Sequence, residues 1–320
     1  MIDAAIVGLG WWGKSLVESV QGVSDDIRFV AGATRTRTAE TDRFLHTHQM
    51  KVADSFQALL SDRCVRAIVL ATPHSLHAQQ VAAAARAGKH VFCEKPLAMT
   101  SAEADAAVNA VRQTRVTLGL GYNRRFHPEM TRLRERIRSG GLGTVLHVEA
   151  TMCGGLAPMG VHAIDGMIDL CGPIESVYCQ SLRRAVSIDS DDTTAVLFRM
   201  RSGASGYLAT LTATGPGFSF QVFGSTGWVR LEGMTHVAGA SSDERRTRLF
   251  GTCRFQPAKG AVETWEAEPL DVTRAALESF AVAAQGGAPF PMSLDEMAHG
   301  AAVTEAVVRS AASGVVERVA

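Results

Sequence analysis

The chain has no excess charge of either sign. Its 320 residues carry 32 Lys and Arg against 32 Asp and Glu. A protein that binds a polyanion needs a net positive field, so this balance argues against nucleic acid as the main partner. The sequence also lacks a run of about 18 apolar residues, the length that a membrane-spanning helix needs. We therefore expect a small-molecule substrate and neither nucleic acid nor a membrane as partner.

Cysteine and proline are scarce as well. The six cysteines lie far apart without a C-x-x-C pair, so the disulfide framework of a small secreted protein is not expected. Ten prolines and an apolar content of 46% are typical of a globular protein, not of a disordered or collagen-like one. The first residues include Asp3 and lack the basic region of a signal peptide. These absences predict reduced thiols and a cytoplasmic location.

At about 100–200 residues per domain, the length predicts two domains, which we place at residues 1–121 and 122–320. Residues 1–121 alternate short apolar runs with helical patterns, as expected for an α/β fold with a parallel sheet and crossover helices. The predicted strands are Ala4–Val7, Arg28–Ala33, Ala67–Ala71, His90–Cys93 and Val116–Leu120. The predicted helices are Trp12–Val20, Thr38–His48, Leu76–Ala87 and Ser101–Arg115, the last with a Thr100–Glu103 capping box.

Residues 122–320 contain many short strand patterns that are joined by turns. The predicted strands are Thr144–Met152, Ile174–Arg183, Thr193–Met200, Ser205–Thr212, Phe218–Phe223, Trp228–Glu232, Arg248–Phe255 and Val262–Glu266. The predicted helices are Glu129–Ser139, Val272–Ala284 and Ser293–Ser313. The pattern indicates an α+β domain with a large, open, mostly antiparallel sheet. Three helices cannot cover both faces of such a sheet, so we expect a homodimer or homotetramer formed through it.

A G-x-G-x-x-G motif, formed by Gly8, Gly10 and Gly13, follows the first predicted strand and opens the first helix. The first glycine permits a tight turn, the second lets the backbone approach a pyrophosphate, and the third allows close packing of helix on strand. This context predicts a Rossmann dinucleotide-binding domain in residues 1–121. Trp11 and Trp12 lie inside the motif, where they either stack on the cofactor or pack in the fold.

The end of the second predicted strand lacks the acidic residue that binds the ribose of NAD. Thr34 and Arg35 follow Ala33 instead. A guanidinium beside small hydroxyl groups suits the 2′-phosphate of NADP. We therefore predict that NADP is preferred, with NAD as the alternative cofactor. The competing interpretation is that Arg35 and Arg37 only solvate a loop.

Three further segments follow the glycine motif in order: Ala71–His77, Ala87–Leu97 and Gly121–Pro128. Together with that motif they resemble the Gfo/Idh/MocA oxidoreductases, and Glu94-Lys95-Pro96 is the most specific element of the resemblance. The cofactor-binding residues predicted from the motif and the resemblance are Gly8, Gly10, Trp12, Gly13, Thr34, Arg35, Ala71, Thr72, Pro73, His74, His77, Glu94 and Lys95.

The resemblance also implies the catalytic groups. Lys95 would polarise the oxygen of the substrate, and His162 would exchange its proton. The predicted substrate-binding residues are Tyr122, Asn123, Arg124, His162 and Asp165. His162 and Asp165 match a family pattern similar to Asp-x-Gly-x-His-x-x-Asp, but Pro158 occupies the position of its first acid.

The sequence thus predicts a dehydrogenase that transfers a hydride between NADP and a carbon bearing a hydroxyl or carbonyl oxygen. The expected substrate is a sugar, a cyclitol or a similar polyol. Because Pro158 replaces the acid, an aromatic-derived diol is the alternative, as in dihydrodiol dehydrogenases. A non-catalytic, NADP-dependent sensor or regulator is the alternative from another class. No metal is expected, because the histidine pairs lack neighbouring cysteine or carboxylate ligands.

Overall fold

A computed structural model describes residues 1–186, 192–234 and 247–320. The chain divides into two compact units, which are treated separately below. The first unit contains residues 1–123 and 273–301, and the second contains 124–272 and 302–320. Whether residues 1–121 and 122–320 fold as separate domains stays a prediction. In the described ranges, no helix is both long enough and apolar enough to cross a membrane.

The first unit is built on a six-stranded parallel sheet. Its strands are β1 (Ile2–Val7), β2 (Ile27–Ala33), β3 (Lys51–Val52), β4 (Ala67–Leu70), β5 (His90–Cys93) and β6 (Leu118–Leu120). Their order across the sheet is β3-β2-β1-β4-β5-β6. The order reverses between β1 and β4, and open α/β sheets bind ligands at the carboxyl ends of the strands at such a point. The predicted α/β fold is confirmed.

Helices connect these strands. They are α1 (Trp11–Val20), α2 (Ala39–Thr47), α3 (Phe56–Ser61), α4 (His77–Arg86) and α5 (Ser101–Arg112). The predicted capping box of α5 is present, because Thr100 accepts from the Glu103 amide while the Glu103 carboxylate accepts from the Thr100 amide. The sequence did not predict β3 and α3, since two and six residues are too few to show a period.

The second unit contains a nine-stranded sheet. Its strands are β7 (Val145–Cys153), β8 (Ile174–Leu182), β9 (Thr193–Met200), β10 (Ser205–Leu211), β11 (Phe218–Gly224), β12 (Gly227–Gly233), β13 (Phe250–Pro257), β14 (Glu263–Glu266) and β15 (Glu317–Arg318). Their order is β14-β13-β12-β11-β7-β10-β9-β8-β15. Only β7 and β10 pair in parallel among these neighbours. The prediction of a mostly antiparallel sheet is confirmed.

Residues 124–320 also contain the α-helices α6 (Pro128–Arg138), α7 (Val161–Cys171), α8 (Val272–Ala284) and α9 (Leu294–Ser313). A 3₁₀-helix at Asn123–Phe126 precedes α6, and a π-helix at Leu156–Gly160 precedes α7. The sequence analysis missed α7. Its apolar residues Ala163, Ile164, Met167 and Ile168 are buried in the core of the second unit. Its pattern is interrupted by Gly166, and glycine is unfavourable inside a helix.

Candidate active site

The glycine-rich turn between β1 and α1 is tightly packed except at one position. Gly8 has φ +98°, and a Cβ there would lie 2.4 Å from the Ala71 carbonyl oxygen. A Cβ at Gly13 would lie 1.9 Å from the carbonyl oxygen of Gly8. Around a Cβ at Gly10, by contrast, the structure places no atom within 4 Å. Packing therefore explains Gly8 and Gly13 but not Gly10.

The open space at Gly10 fits a phosphate group. Gly10 is the N-cap of α1, and it has no side chain that could accept a hydrogen bond from the first turn. The amide groups of a helix N-terminus are hydrogen-bond donors at the positive end of the helix dipole. An anion such as a pyrophosphate is the natural partner of this arrangement. The residues present thus fit the predicted dinucleotide.

The segment after β2 carries one arginine that is available to a ligand. Arg37 pairs with Asp42 at 2.7 Å, and Lys14 pairs with Glu40. Arg35 is exposed, and no carboxylate of the described residues pairs with it. Glu40 and Asp42 are therefore paired with other cations, while the Arg35 guanidinium can still bind an anion.

His77 links the segments that follow β4 and β5. Its ring is fully buried, with Nδ1 2.7 Å from the Pro96 carbonyl oxygen and Nε2 2.9 Å from that of Thr72. Burial lowers the pKa of His77, although both backbone contacts oppose this. His74 lies beside it with ring centroids 5.6 Å apart, and burial lowers its pKa too. Both backbone contacts hold the His77 ring between these two segments.

Glu94 and Lys95 follow β5 at the same edge of the sheet. The Glu94 carboxyl is buried, and this burial raises its pKa, while the Trp12 indole and the charge of Lys95 oppose the rise. A Cβ at Gly121 would lie 2.8 Å from the carboxyl atoms of Glu94. The first unit therefore brings the glycine-rich turn, the segment from Ala71 to His77, and Glu94 with Lys95 to neighbouring strand ends.

The other predicted residues of the first unit follow β6. The Tyr122 side chain is buried. Asn123 donates a hydrogen bond from Nδ2 to Oγ1 of Thr273, over 3.3 Å. These contacts anchor the chain directly after the sheet, and a role of either residue in substrate binding stays a prediction.

In the second unit, His162 is the second residue of α7 and is partly buried. Asp165 lies one turn further along, and its carboxylate accepts hydrogen bonds from Nε of Arg125 at 2.9 and 3.0 Å. Asp169 pairs with Arg125 at 3.4 Å and with Arg134 at 2.6 Å. The predicted substrate residue Asp165 is thus part of a buried ion-pair network.

A small cavity lies between α7 and the sheet of the second unit. Arg124, Met152, His162, Phe218 and Phe250 are among the residues that line it. Its free space is about that of one water molecule. The Arg124 guanidinium stacks on the Phe218 ring, 4.3 Å from its centroid. Burial lowers the pKa of Arg124 to about 9, so the group remains a cation at neutral pH.

The sequence analysis did not single out Arg125, Arg134 or Asp169 for the site. Their contacts join positions 35 to 44 residues apart. Such pairs leave no local pattern, so the signal that could have found them is the presence of charged residues within otherwise apolar segments.

Comparison with known proteins agrees with this architecture. Residues 2–122 match the model of an oxidoreductase family with an NAD-binding Rossmann fold, and residues 153–230 match the GFO/IDH/MocA C-terminal domain. Myo-inositol 2-dehydrogenase of Thermotoga maritima is 27% identical over 76% of this chain and 79% of its own length. The rhizopine catabolism protein MocA of Rhizobium meliloti is 31% identical over 70% of this chain and 69% of its own length.

A solved structure shares the whole fold. The aldose-aldose oxidoreductase of Caulobacter crescentus, solved in complex with glycerol, superimposes with a TM-score of 0.85 and 22% sequence identity. The match covers 99% of each chain. At this identity the similarity concerns the fold, which therefore extends over nearly the complete length of both proteins.

Proposed function

The chain belongs to the Gfo/Idh/MocA oxidoreductase family, and from that premise we propose that it is an NADP-preferring dehydrogenase of a sugar, cyclitol or similar polyol. The observation that carries the cofactor assignment is the pair of open features in the first unit. Gly10 leaves room for a pyrophosphate at the N-terminus of α1, and Arg35 has no carboxylate partner among the described residues. The similarity to myo-inositol 2-dehydrogenase supports the substrate class.

In this proposal each side chain has a defined task. When bound, NADP would supply the nicotinamide for hydride transfer. Lys95 polarises the oxygen on the reacting carbon with its positive charge. During oxidation that carbon loses a hydride, and its hydroxyl group loses a proton to His162. His77 positions the two segments that carry Thr72 and Pro96.

The preference for NADP follows from the charges after β2. A carboxylate at this position would repel a 2′-phosphate, but Thr34 is present instead. A hydrogen bond from Arg35 to the phosphate would be worth about 1.5–3 kcal/mol. NADP should therefore bind roughly ten- to a hundredfold more tightly than NAD.

Calorimetry with NADP and NAD tests this assignment. Arg35→Ala should remove most of the difference in affinity, and Thr34→Asp should reverse it. Arg63→Ala is the matched control, because Arg63 is an exposed arginine elsewhere in the first unit. Equal affinity for both cofactors in the unaltered protein would show that Thr34 and Arg35 do not bind a phosphate. Turnover of any sugar or cyclitol with NADP would exclude a purely sensory role.

We also propose that the protein is a homodimer or homotetramer that assembles through the sheet of the second unit. Tyr178, Leu197 and Tyr207 are aligned across β8, β9 and β10 by the strand register. They alternate with residues of the core, and Leu197 is 54% exposed. An apolar row on a sheet face supports association, since burial of such a row is favourable.

A further inference from the structure

Arg124 and Arg125 are adjacent in sequence but have different surroundings. Arg125 binds the carboxylates of Asp165 and Asp169, and Arg134 also binds Asp169. Arg124 instead contacts the Phe218 ring and, through Nη1, the sulfur of Met152 at 3.8 Å. Within residues 1–186, 192–234 and 247–320, no carboxylate pairs with Arg124. Arg124 lines the same cavity as His162.

The balance of charge around the cavity is therefore positive. Among the described residues that line it, Arg124 and Arg125 carry positive charge and Asp165 carries negative charge. Position 158, where the family pattern has an acid, is a proline and adds no negative charge. Desolvating a cation without a counter-ion costs free energy. Such a cost is expected where a residue serves a ligand rather than the fold.

We propose that Arg124 binds an anionic group of the substrate, so that the enzyme acts on a sugar-type hydroxy acid, such as a uronate or an aldonate, rather than on a neutral polyol. This inference rests on the proposed function and narrows its substrate class. Nη1 of Arg124 contacts the Met152 sulfur, whereas no partner of Nε or Nη2 is found among the described residues. A carboxylate can accept two of these N–H groups at once, a geometry that the planar fork of arginine favours.

The position of His162 supports the same conclusion. Arg124 and His162 line one cavity. Its space for about one water would take one carboxylate oxygen of the acid, which would then lie near the imidazole proposed to exchange the proton. Arg124 would thus orient the acid by its charged end and present a neighbouring hydroxyl group to His162. The substrate would be recognised by its charge as well as by its hydroxyl pattern.

Binding of matched acid and neutral compounds tests the proposal. The pairs are galacturonate with galactose, glucuronate with glucose, and gluconate with sorbitol, measured by calorimetry in the presence of NADP. At least one acid should bind tenfold or more tightly than its neutral partner. Arg124→Gln should abolish this difference, whereas Arg138→Gln should preserve it, because Arg138 is exposed on α6 of the same unit. Equal affinities within every pair, or an acid preference that survives in Arg124→Gln, would overturn the proposal.

Thermal unfolding provides a readout that does not depend on turnover. Arg124→Met should leave the Tm unchanged or raise it, because it removes a cation that lacks a carboxylate partner. Arg125→Met should lower the Tm, because it leaves Asp165 without its bidentate partner. A loss of Tm in Arg124→Met as large as that in Arg125→Met would mark Arg124 as a structural residue and overturn the proposal. Stabilisation by sulfate alone, and by no sugar acid, would also overturn it.

These results separate the inference from the proposed function. If neutral sugars are oxidised with NADP but no acid is preferred, only the inference fails. If an acid binds through Arg124 but nothing is oxidised with NADP or NAD, the dehydrogenase assignment fails while the anion site stands.

Discussion

Lys95 lies directly after β5, between the buried carboxyl of Glu94 and Pro96. Its positive charge lowers the pKa of Glu94 in opposition to burial. A lysine in this position can stabilise negative charge on an oxygen of the substrate. The sequence motif identified the lysine as a candidate, but only the structure shows the buried carboxyl group beside it.

Replacement of Lys95 by methionine tests its electrostatic role. Lys95→Met should lower kcat by about a hundredfold, the usual loss when one electrostatic contact to a transition state is removed. The affinity for NADP should change much less, as measured by calorimetry. Lys259→Met, which alters an exposed lysine of the second unit, is the control. Near-normal turnover in Lys95→Met would mean that the lysine does not act on the substrate.

The ion pairs around Asp165 could not be predicted from the sequence. Asp165 was found through a family pattern, but its partner Arg125 lies 40 positions earlier in the chain. The pair forms because α7 places the carboxylate beside the chain that precedes α6. Sequence spacing gives no sign of such a contact. The sequence therefore identified Asp165 as a candidate site residue but did not show that it pairs with Arg125.

At the scale of elements, the turn between β1 and α1 contributes both to packing and to ligand binding. The motif predicted a role in cofactor binding for all three glycines, but their surroundings in the structure differ. Gly8 and Gly13 are fixed by the backbone atoms against them, whereas the space above Gly10 is open. A substitution at Gly8 or Gly13 should therefore lower the stability of the fold, whereas a substitution at Gly10 should mainly weaken cofactor binding.

Alanine substitutions test this separation. Gly13→Ala should lower the free energy of unfolding by about 2 kcal/mol or more, because its Cβ collides with the Gly8 carbonyl oxygen. Gly10→Ala should cost less than about 1 kcal/mol, since an N-cap glycine is only modestly better than alanine. It should nevertheless weaken NADP binding tenfold or more by filling the phosphate space. Unchanged NADP affinity in a folded Gly10→Ala variant would contradict the assignment.

The N-terminus of α6 gives the fold a dependence on pH. His127 is fully buried, and its Nδ1 accepts a hydrogen bond from the Glu129 amide. Burial, with a smaller contribution from Arg132, lowers the pKa of His127 from 6.5 to about 4. The unfolded chain therefore binds a proton at higher pH than the folded chain does. The stability that the neutral ring provides is complete above about pH 6.5 and is lost as the pH falls towards 4.

Chemical unfolding at several pH values measures this effect. Between pH 7 and pH 5, His127 should account for a loss of about 2 kcal/mol in the free energy of unfolding. His127→Asn should lack this part of the loss, because asparagine can cap the helix without titrating. His46→Asn is the control, since His46 is exposed at the end of α2. Identical pH profiles for the wild type and His127→Asn would refute the role of His127.

Most strands and helices were predictable from local patterns. Strands show short apolar or alternating runs, and helices show an apolar repeat and, in some cases, a capping residue. The very short β3 and α3 show no period, and Gly166 interrupts the pattern of α7. The parallel pairing of β7 with β10 was also beyond prediction, since each strand has the same alternation in either direction. Strand pairing depends on contacts between distant positions, and one sequence does not reveal them.

At the scale of the whole molecule, the chain returns to its first unit after completing most of the second. Residues 273–301 pack with residues 1–123, and Phe280 of α8 meets Phe92 of β5 edge to face, with ring centroids 5.7 Å apart. A helix pattern near the end of a chain does not indicate which sheet it covers. The helix itself was predicted, but its place in the fold was not.

Sedimentation tests the proposed assembly. The protein should sediment as a dimer or tetramer of its 34.1 kDa chain at micromolar concentration. Leu197→Arg should shift it towards the monomer, because it introduces a charge into the apolar row on β8, β9 and β10. Val23→Arg is the control, since Val23 is 60% exposed in the first unit. A monomeric wild-type protein would rule out the assembly.

The central claim is that this chain catalyses hydride transfer to NADP, and tracing a hydrogen isotope tests it most directly. The matched sugars and sugar acids, together with myo-inositol, would be supplied with deuterium on their carbon atoms and incubated with the protein and NADP. Mass spectrometry should find deuterium on the nicotinamide of the NADPH formed with at least one compound, at a rate about a hundredfold lower in Lys95→Met. Absence of deuterated nicotinamide with every compound, with NAD as well as NADP, would contradict the account.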